Sequence, residues 1–215
     1  MAGEAAVLPE RLLSALGERA IDAKRLEDVL GCVEVAQLDL SDLASVREFA
    51  EGWQGELAVL VNNAGVMALP ESRTTDGFEM QFGTNHLGHF LFTTLLEEPL
   101  VAAAPSRVVV LSSAGHRQGG IRWDDPNYER ADEYFNWDAY GQAKTANALF
   151  ALELDRRWSP WGVHAFSVHP GVIMTDLARH MTAEDFDWMA SNRPGGQFSF
   201  KSVEQGAATT VWAAT

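Results

Sequence analysis

Tyr140 and Lys144 form the pair best suited to proton transfer in this sequence. They lie four residues apart within a helical pattern, so their side chains share one face of the predicted helix, one turn apart. A free tyrosine has a pKa of about 10, and a neighbouring ammonium lowers that pKa because it favours the phenolate. Ser113 follows an apolar strand and could hydrogen-bond the substrate oxygen with which Tyr140 exchanges a proton. This arrangement predicts chemistry at a carbonyl or alcohol centre.

The Tyr-x-x-x-Lys spacing taken alone usually marks a solvated helix face, so its meaning depends on the elements around it. Short apolar runs alternate with helical patterns along the chain. The runs predict strands over residues 33–38, 57–61, 107–111 and 163–168, and the patterns predict helices over residues 10–30, 41–52, 76–100 and 138–158. This alternation predicts an α/β fold with a doubly wound parallel sheet and helices on both faces.

Polar residues cluster at the carboxyl ends of the predicted strands, where sheets of this kind bind their ligands. These residues are Asp39, the NNAG turn at 62–65, Ser112, Ser113, Pro170, Gly171 and Thr175. Because the carboxyl ends of parallel strands meet along one edge, we expect these side chains to converge on a single crevice.

Composition narrows the class of protein further. The 215 residues are 47% hydrophobic with 18 Gly and 8 Pro, which excludes a disordered or collagen-like chain and predicts one domain over residues 1–215. A net charge of −14 repels phosphate backbones. The single cysteine, Cys32, excludes an internal disulfide, and the sequence shows neither a signal-peptide pattern nor an apolar stretch of about 20 residues. We expect a cytoplasmic protein that binds no nucleic acid and no membrane.

The motifs and their order resemble the short-chain dehydrogenase/reductase family from about residue 33 to the last residue. The matching pieces are Asp39 after a strand, NNAG at 62–65, Asn85, Ser113, Tyr140-x-x-x-Lys144, and Pro170-Gly171 followed by Thr175. The segments LSSAGH, AYGQAKTANALFALEL and VHPGVIMTDL resemble the retinol-dehydrogenase-like branch of that family.

The resemblance implies a Rossmann-like oxidoreductase that uses NAD or NADP. It implies that Tyr140 is the catalytic acid and base, and that Lys144 lowers the pKa of Tyr140 and holds the nicotinamide ribose. It further implies that Ser113 orients the substrate oxygen and that Asn85 supports a proton-relay water. An asparagine side chain competes for backbone groups inside a helix, so we also expect a local irregularity at Asn85.

The same resemblance implies further cofactor contacts. Asp39 would lie against the adenine, Asn62 and Gly65 beside the adenosine ribose, and Val172 and Thr175 at the nicotinamide carboxamide. Structural explanations stay open for each motif. Asp39 and Ser41 could cap a helix, NNAG could be a strand-ending turn, and Pro170-Gly171 could stop a helix.

One departure from the family lies before Asp39. The family begins with a strand and a TGxxxGxG turn that receives the pyrophosphate, whereas the glycines here are the widely spaced Gly3, Gly17 and Gly31. We therefore expect an incomplete N-terminal βαβ portion. Two hypotheses follow: an oxidoreductase whose pyrophosphate site is altered, or a catalytically silent remnant that acts as a binding or dimerisation module.

Two other chemistries fit poorly. Serine hydrolysis needs a GxSxG elbow, and LSSAG at 111–115 lacks its first glycine. His86 and His89 are three residues apart, but no cluster of Cys or Glu accompanies them, so we predict no metal site.

The segments 114–136 and 176–200 are rich in aromatic residues and methionine, which favours an apolar small-molecule substrate. The same side chains could equally pack these loops onto the core. The helices predicted at 76–100 and 138–158 carry more apolar residues than one buried stripe needs, so we expect a homodimer through them.

Overall fold

The computed structural model describes residues 6–9, 33–130, 134–192 and 199–215. The strands are β1 Ala6–Pro9, β2 Val33–Ala36, β3 Val59–Asn62, β4 Ser106–Leu111 and β5 Val163–Val168. The helices are α1 Leu43–Gly52, α2 Gly88–Leu95, α3 Glu97–Ala102, α4 Asn136–Trp158, α5 Ala183–Ser191 and α6 Val203–Ala214. Among the described residues, no helix has the length and apolarity that a bilayer crossing requires.

Strands β3, β4 and β5 form a parallel sheet in that order, with Val61 opposite Val109 and Val109 opposite Phe166. Strand β2 pairs with β1 in a separate two-stranded parallel sheet. The predicted α/β class is therefore confirmed. Within the described residues, β2 pairs with β1 and has no neighbour in the main sheet. The helix predicted at 10–30 lies outside the described residues.

Alternate residues of β4 face opposite sides of the sheet, as the pleat of a strand requires. Val108 and Val110 are fully buried in the larger core, together with residues of α1, α2, α3 and α4. Val109 and Leu111 face the other side and pack with Ala213 of α6. The helices on both faces of the sheet are thus confirmed by the packing of this strand.

The helix predicted over residues 76–100 is divided into shorter pieces. A helical turn at Met80–Phe82 leads into a π-helical turn at Gly83–Leu87, which contains Asn85, and then into α2 and α3. Glu79 begins this region by accepting hydrogen bonds from two backbone N–H groups in the first turn. The irregularity expected at Asn85 is confirmed.

Deleting the Leu100 side chain tests the larger core. Leu100 is fully buried beneath β4, so we expect Leu100→Ala to lower the free energy of unfolding by about 2–5 kcal/mol. Val203 is 62% exposed, and Val203→Ala should change that free energy by no more than about 0.5 kcal/mol. Urea denaturation of both variants gives the measurement. Equal effects at the two positions would contradict the placement of Leu100.

Candidate active site

The hydroxyl groups of Ser113 and Tyr140 meet at the carboxyl end of β4. Tyr140 lies in the first turns of α4 and is 4% exposed, and the Ser113 side chain is near enough to its phenol to lower the pKa of Tyr140. The Ser113 hydroxyl also accepts the N–H of Gly115 at 3.0 Å. Trp137 packs edge-on against the phenol ring, with centroids 6.1 Å apart. The structure thus brings together the two hydroxyls that the sequence predicts to share one substrate oxygen.

Gly115 makes this approach possible. A Cβ atom at position 115 would lie 2.8 Å from Cε1 of Tyr140 and 3.4 Å from the Ser113 hydroxyl. Any larger residue would push the phenol ring away from β4. Glycine is therefore required at position 115 for steric reasons, which the sequence alone does not reveal.

Lys144 lies one turn after Tyr140 on α4, as the spacing predicts. Its ammonium nitrogen is 5.6 Å from the centre of the Tyr140 ring and donates a hydrogen bond to the Leu111 carbonyl at 2.9 Å. The side chain is buried, and burial lowers its pKa to about 8. The described contacts use one of the three N–H groups of the ammonium.

The pKa of Tyr140 differs from the expectation. Burial raises it to about 12, and the nearby Ser113 side chain offsets part of that rise. The expectation that the pKa of Tyr140 lies below its ordinary value is therefore wrong for the chain alone. Two physical reasons are visible: the phenol is desolvated, and the Lys144 ammonium is hydrogen-bonded to the Leu111 carbonyl.

The side chain of Asn85 is fully engaged with the backbone of Val66. Its Oδ1 accepts the Val66 N–H and its Nδ2 donates to the Val66 carbonyl, both at 2.8 Å. A Cβ at Gly65 would lie 2.9 Å from Asn85 Oδ1, so glycine permits this pairing. The carbonyl of Asn85 accepts from His89 Nδ1 at 3.0 Å and from Asn147 Nδ2 at 3.1 Å.

Sequence reasoning missed Asn147 and His89 as neighbours of the site. The available signal was weak. Asn147 follows Lys144 by three residues, and His89 follows Asn85 by four, which in each case is helical spacing on one face. This spacing does not show that both side chains hydrogen-bond the Asn85 carbonyl.

Asn62 lies at the end of β3 with its side chain in the interior. Its Nδ2 donates to Thr93 of α2 at 2.7 Å, and its buried Oδ1 has no partner within the described part of the chain. The residue is 2% exposed. A place for Asn62 beside an adenosine ribose stays a prediction, since this contact joins β3 to α2.

Asp39 forms a local turn after β2. Its Oδ1 accepts the backbone N–H of Ser41 at 3.0 Å and the Ser41 hydroxyl at 2.7 Å. The cap of α1 is Asp42, whose Oδ1 accepts the N–H of Ala44 at 2.9 Å. The expectation that Ser41 caps this helix is wrong, because its hydroxyl is turned to Asp39.

Val172 and Thr175 follow the Pro170-Gly171 turn after β5. The Val172 carbonyl accepts the N–H of Lys201 at 2.8 Å, and Thr175 caps a short 3₁₀ turn at Asp176–Ala178. Gly171 has a φ of +98°. The Lys201 side chain lies so close to Gly171 that an added Cβ would be 2.7 Å from it. Sequence reasoning did not single out Lys201.

An apolar pocket adjoins Tyr140. Its lining includes Met67, Val172, Ile173, Met181, Met189 and Phe200. The three methionines Met67, Met181 and Met189 also pack against the cluster of Trp137 and Tyr140. Of the two segments predicted to surround a substrate, the second therefore contributes to the pocket.

In the first segment, residues 114–136, the described part packs onto the core instead of lining the pocket. Tyr128 and Tyr134 contact each other with ring centroids 5.4 Å apart, and the Tyr134 hydroxyl donates to the buried Glu79 carboxylate at 2.8 Å. These aromatic residues hold the loop onto the core. Phe198 of the second segment lies outside the described residues.

Within the ranges that the structure describes, no group of three or more His, Cys, Asp or Glu side chains could hold a metal ion. The Nδ1 atom of His89 is turned to the Asn85 carbonyl, and that of His86 to Asn147 Oδ1 at 3.1 Å.

Comparisons with known proteins give matches over most of the chain. Residues 11–214 match the family described as enoyl-(acyl carrier protein) reductase. The chain is 46% identical to retinol dehydrogenase 12 of Mus musculus over 198 residues, which cover 91% of this chain and 60% of that protein. It is 42% identical to a short-chain dehydrogenase/reductase of Penicillium rubens over 210 residues, which cover 93% of this chain and 61% of that protein. The chain belongs to the short-chain dehydrogenase/reductase family.

This short-chain dehydrogenase/reductase spans 60–61% of the length of those two relatives. The resemblance to the retinol-dehydrogenase-like branch is confirmed by the identity with retinol dehydrogenase 12. A short-chain dehydrogenase from Burkholderia cenocepacia, solved in complex with NADP, matches 99% of this chain and 80% of that chain with a TM-score of 0.70 at 21% identity. That similarity shows the shared fold.

Replacing the buried ammonium tests its energetic effect. The pKa of Lys144 is lowered from 10.5 to about 8, so the unfolded chain binds more protons between these values and the stability of the native chain rises with pH across that window. We expect Lys144→Met to be more stable than the parent at pH 7, and the difference to shrink as the pH rises from 8 to 10. Urea denaturation at several pH values gives the measurement.

Lys201 provides the control because it is exposed. The difference between Lys201→Met and the parent should vary much less over the same pH range. A stability difference for Lys144→Met that stays constant from pH 7 to pH 10 would show that burial does not lower the pKa of Lys144.

Proposed function

We propose that this short-chain dehydrogenase/reductase uses NAD or NADP to interconvert an alcohol and a carbonyl on an apolar small molecule. The observation that carries the proposal is the proximity of Ser113 and Tyr140 at the end of β4, with the Lys144 ammonium one helical turn away. Two hydroxyls that already meet can both approach a single substrate oxygen. Together with family membership, this favours the oxidoreductase over the silent remnant.

The residues around Lys144 fit the ribose end of a nicotinamide cofactor. The ammonium uses one N–H on Leu111, and its other two are suited to the neighbouring hydroxyls of a ribose. Tyr140 and Lys144 would hold that ribose, and Val172 and Thr175 would lie at the carboxamide. Asp39, Asn62 and Gly65 are the residues proposed for the adenosine half. When bound, the cofactor supplies or accepts the hydride.

The chain's own residues handle the proton. Ser113 orients the substrate oxygen, and Tyr140 donates its proton to that oxygen when a carbonyl is reduced. Burial raises the pKa of Tyr140 to about 12, so the phenol carries its proton at neutral pH. Transfer of that proton requires the pKa to fall in the reacting complex, and the nearby Lys144 ammonium favours this because it stabilises the phenolate. In the opposite direction the phenolate must form, and the Lys144 ammonium stabilises it more as the two groups approach each other.

The substrate is proposed to be apolar because methionine and aromatic side chains line the pocket beside Tyr140. The relationship to retinol dehydrogenase 12 supports the same class of substrate. A cytoplasmic location remains a prediction from the sequence.

A homodimer through α2 and α4 is part of the proposal. Phe90 of α2 contacts Phe150 of α4 with ring centroids 5.1 Å apart, so the two helices adjoin. Phe90 is 45% exposed and Leu152 is 69% exposed. Association of two copies would remove these apolar side chains from water.

Cofactor binding separates the two hypotheses. Titration of the protein with NADH and with NADPH, followed by tryptophan fluorescence, should show saturable binding of one of them below millimolar concentration. A protein that binds neither cofactor at millimolar concentration would be the silent remnant, and the oxidoreductase proposal would fail.

The Tyr140→Phe variant tests the proton donor. Phenylalanine preserves the ring packing but removes the hydroxyl, so kcat should fall by about 10²–10⁴-fold or more, while fluorescence titration shows nearly unchanged cofactor binding. Steady-state kinetics with an apolar aldehyde and a reduced cofactor give the measurement. Unaltered turnover in an active parent background would refute the role of Tyr140.

The Leu152→Lys variant tests the dimer. A charge at this exposed apolar position opposes association because it must be desolvated in the interface. Light scattering should report the mass of two chains for the parent and of one chain for the variant. Val211→Lys is the matched control, since Val211 is 58% exposed on α6. A parent with the mass of a single chain would contradict the proposed dimer.

A further inference from the structure

Asn147 is a buried amide on α4 to which the proposed mechanism assigns no part. The residue is 1% exposed. Its Nδ2 donates to the carbonyls of Leu111 and Asn85, each at 3.1 Å, and its Oδ1 lies 3.1 Å from Nδ1 of His86. One side chain therefore joins the end of β4, the π-helical turn and the helix that carries Tyr140.

The surroundings fix the direction of this amide. A carbonyl oxygen can only accept hydrogen bonds, so the Nδ2 of Asn147 must face Leu111 and Asn85. The Oδ1 is left for His86, which must then carry its proton on Nδ1. Both N–H groups and the oxygen of the Asn147 amide therefore have hydrogen-bond partners. A flip of the amide by 180° would lose all three hydrogen bonds.

The Leu111 carbonyl links Asn147 to Lys144. The same oxygen accepts the ammonium at 2.9 Å and the amide at 3.1 Å. The Lys144 nitrogen and the Asn147 amide nitrogen bind the same oxygen, so they are at most about 6 Å apart. A charge within about 4–6 Å shifts the pKa of a neighbouring group. Both acceptor positions of this carbonyl are filled, so the position of the ammonium depends on the amide beside it.

The Asn85 carbonyl is filled in the same way. It accepts His89 Nδ1 at 3.0 Å and Asn147 Nδ2 at 3.1 Å, and a carbonyl has two acceptor positions. The family resemblance implies a relay water at Asn85. In this chain the amide of Asn147 connects the Asn85 carbonyl directly to the carbonyl that holds Lys144.

We propose that Asn147 is a positioning residue, which fixes the Lys144 ammonium through the shared Leu111 carbonyl. The inference rests on the proposed function, because the ammonium matters only if Tyr140 transfers a proton.

Gln142 offers a matched control for this role. It is fully buried on the same helix, and its amide also makes hydrogen bonds, accepting the N–H of Arg122 and donating to the carbonyl of Pro126, both at 2.8 Å. Those partners belong to the loop before α4. Gln142 therefore matches Asn147 in burial and chemistry while its contacts lie away from Lys144.

Lysine NMR tests the link without any need for turnover. The chain has three lysines, Lys24, Lys144 and Lys201, so ¹³Cε-lysine labelling gives few signals, and Lys144→Arg assigns the one of interest. Asn147→Asp places a carboxylate beside the ammonium and should raise the pKa of Lys144 by about one unit or more. Gln142→Glu should move that pKa by less than about 0.3. An unmoved pKa in Asn147→Asp overturns the proposal.

Kinetics test the positioning itself. Asn147→Leu removes the three hydrogen bonds and fills the space, so kcat should fall by about 10–100-fold while KM changes by less than about threefold. Asn147→Ser leaves a polar space in which a water can bridge Leu111 and Asn85, and should keep kcat within about threefold of the parent. Gln142→Leu should lower stability comparably but kcat by less than about threefold.

A serine variant as impaired as the leucine variant overturns the proposal, and so does a loss in Gln142→Leu equal to that in Asn147→Leu. The serine and leucine comparison also decides the matter if Asn147→Asp does not fold. A parent without turnover under any cofactor refutes the proposed function, and the lysine titration still decides whether Asn147 acts on Lys144.

Discussion

The carbonyl oxygen of Leu111 accepts hydrogen bonds from both Lys144 and Asn147, and the rest of the site depends on where that oxygen lies. Leu111 is the last residue of β4, a strand buried on both faces between its two neighbours. Ser113 follows two residues later. Because the strand is held by packing on each side, its end fixes both the ammonium and the serine hydroxyl before any ligand binds.

Burial shifts the pKa values of Lys144 and Tyr140, and the same burial of the Lys144 ammonium lowers the free energy of unfolding. The pKa of Lys144 is lowered and that of Tyr140 is raised, in each case chiefly by loss of solvent. Both shifts favour the neutral forms, so in the proposed reaction the negative charge of the Tyr140 phenolate must be stabilised as it forms. The hydrogen-bonded amides of Asn85 and Asn147 provide polar surroundings for these two groups.

Local patterns predicted much of this structure. Strand β5 has the predicted bounds, and α4 ends at the predicted Trp158. The irregularity at Asn85 followed from the chemistry of its side chain. The cap of α1 did not follow, because Ser41 and Asp42 are both good caps and the contact of Ser41 with Asp39 decides between them. The pKa of Tyr140 and the contacts of Asn147 depend on tertiary burial, which spacing along one helix cannot express.

The methionines beside Tyr140 have a consequence for the shapes that the pocket admits. Met67, Met181 and Met189 are unbranched and only partly buried, so each can change its rotamer to follow a new contour. In the proposed function, bulkier or slimmer substrates would be accommodated by side-chain torsions without a shift of the backbone. Under that proposal, the methionines would adapt to the substrate while the buried end of β4 keeps the reacting groups in place.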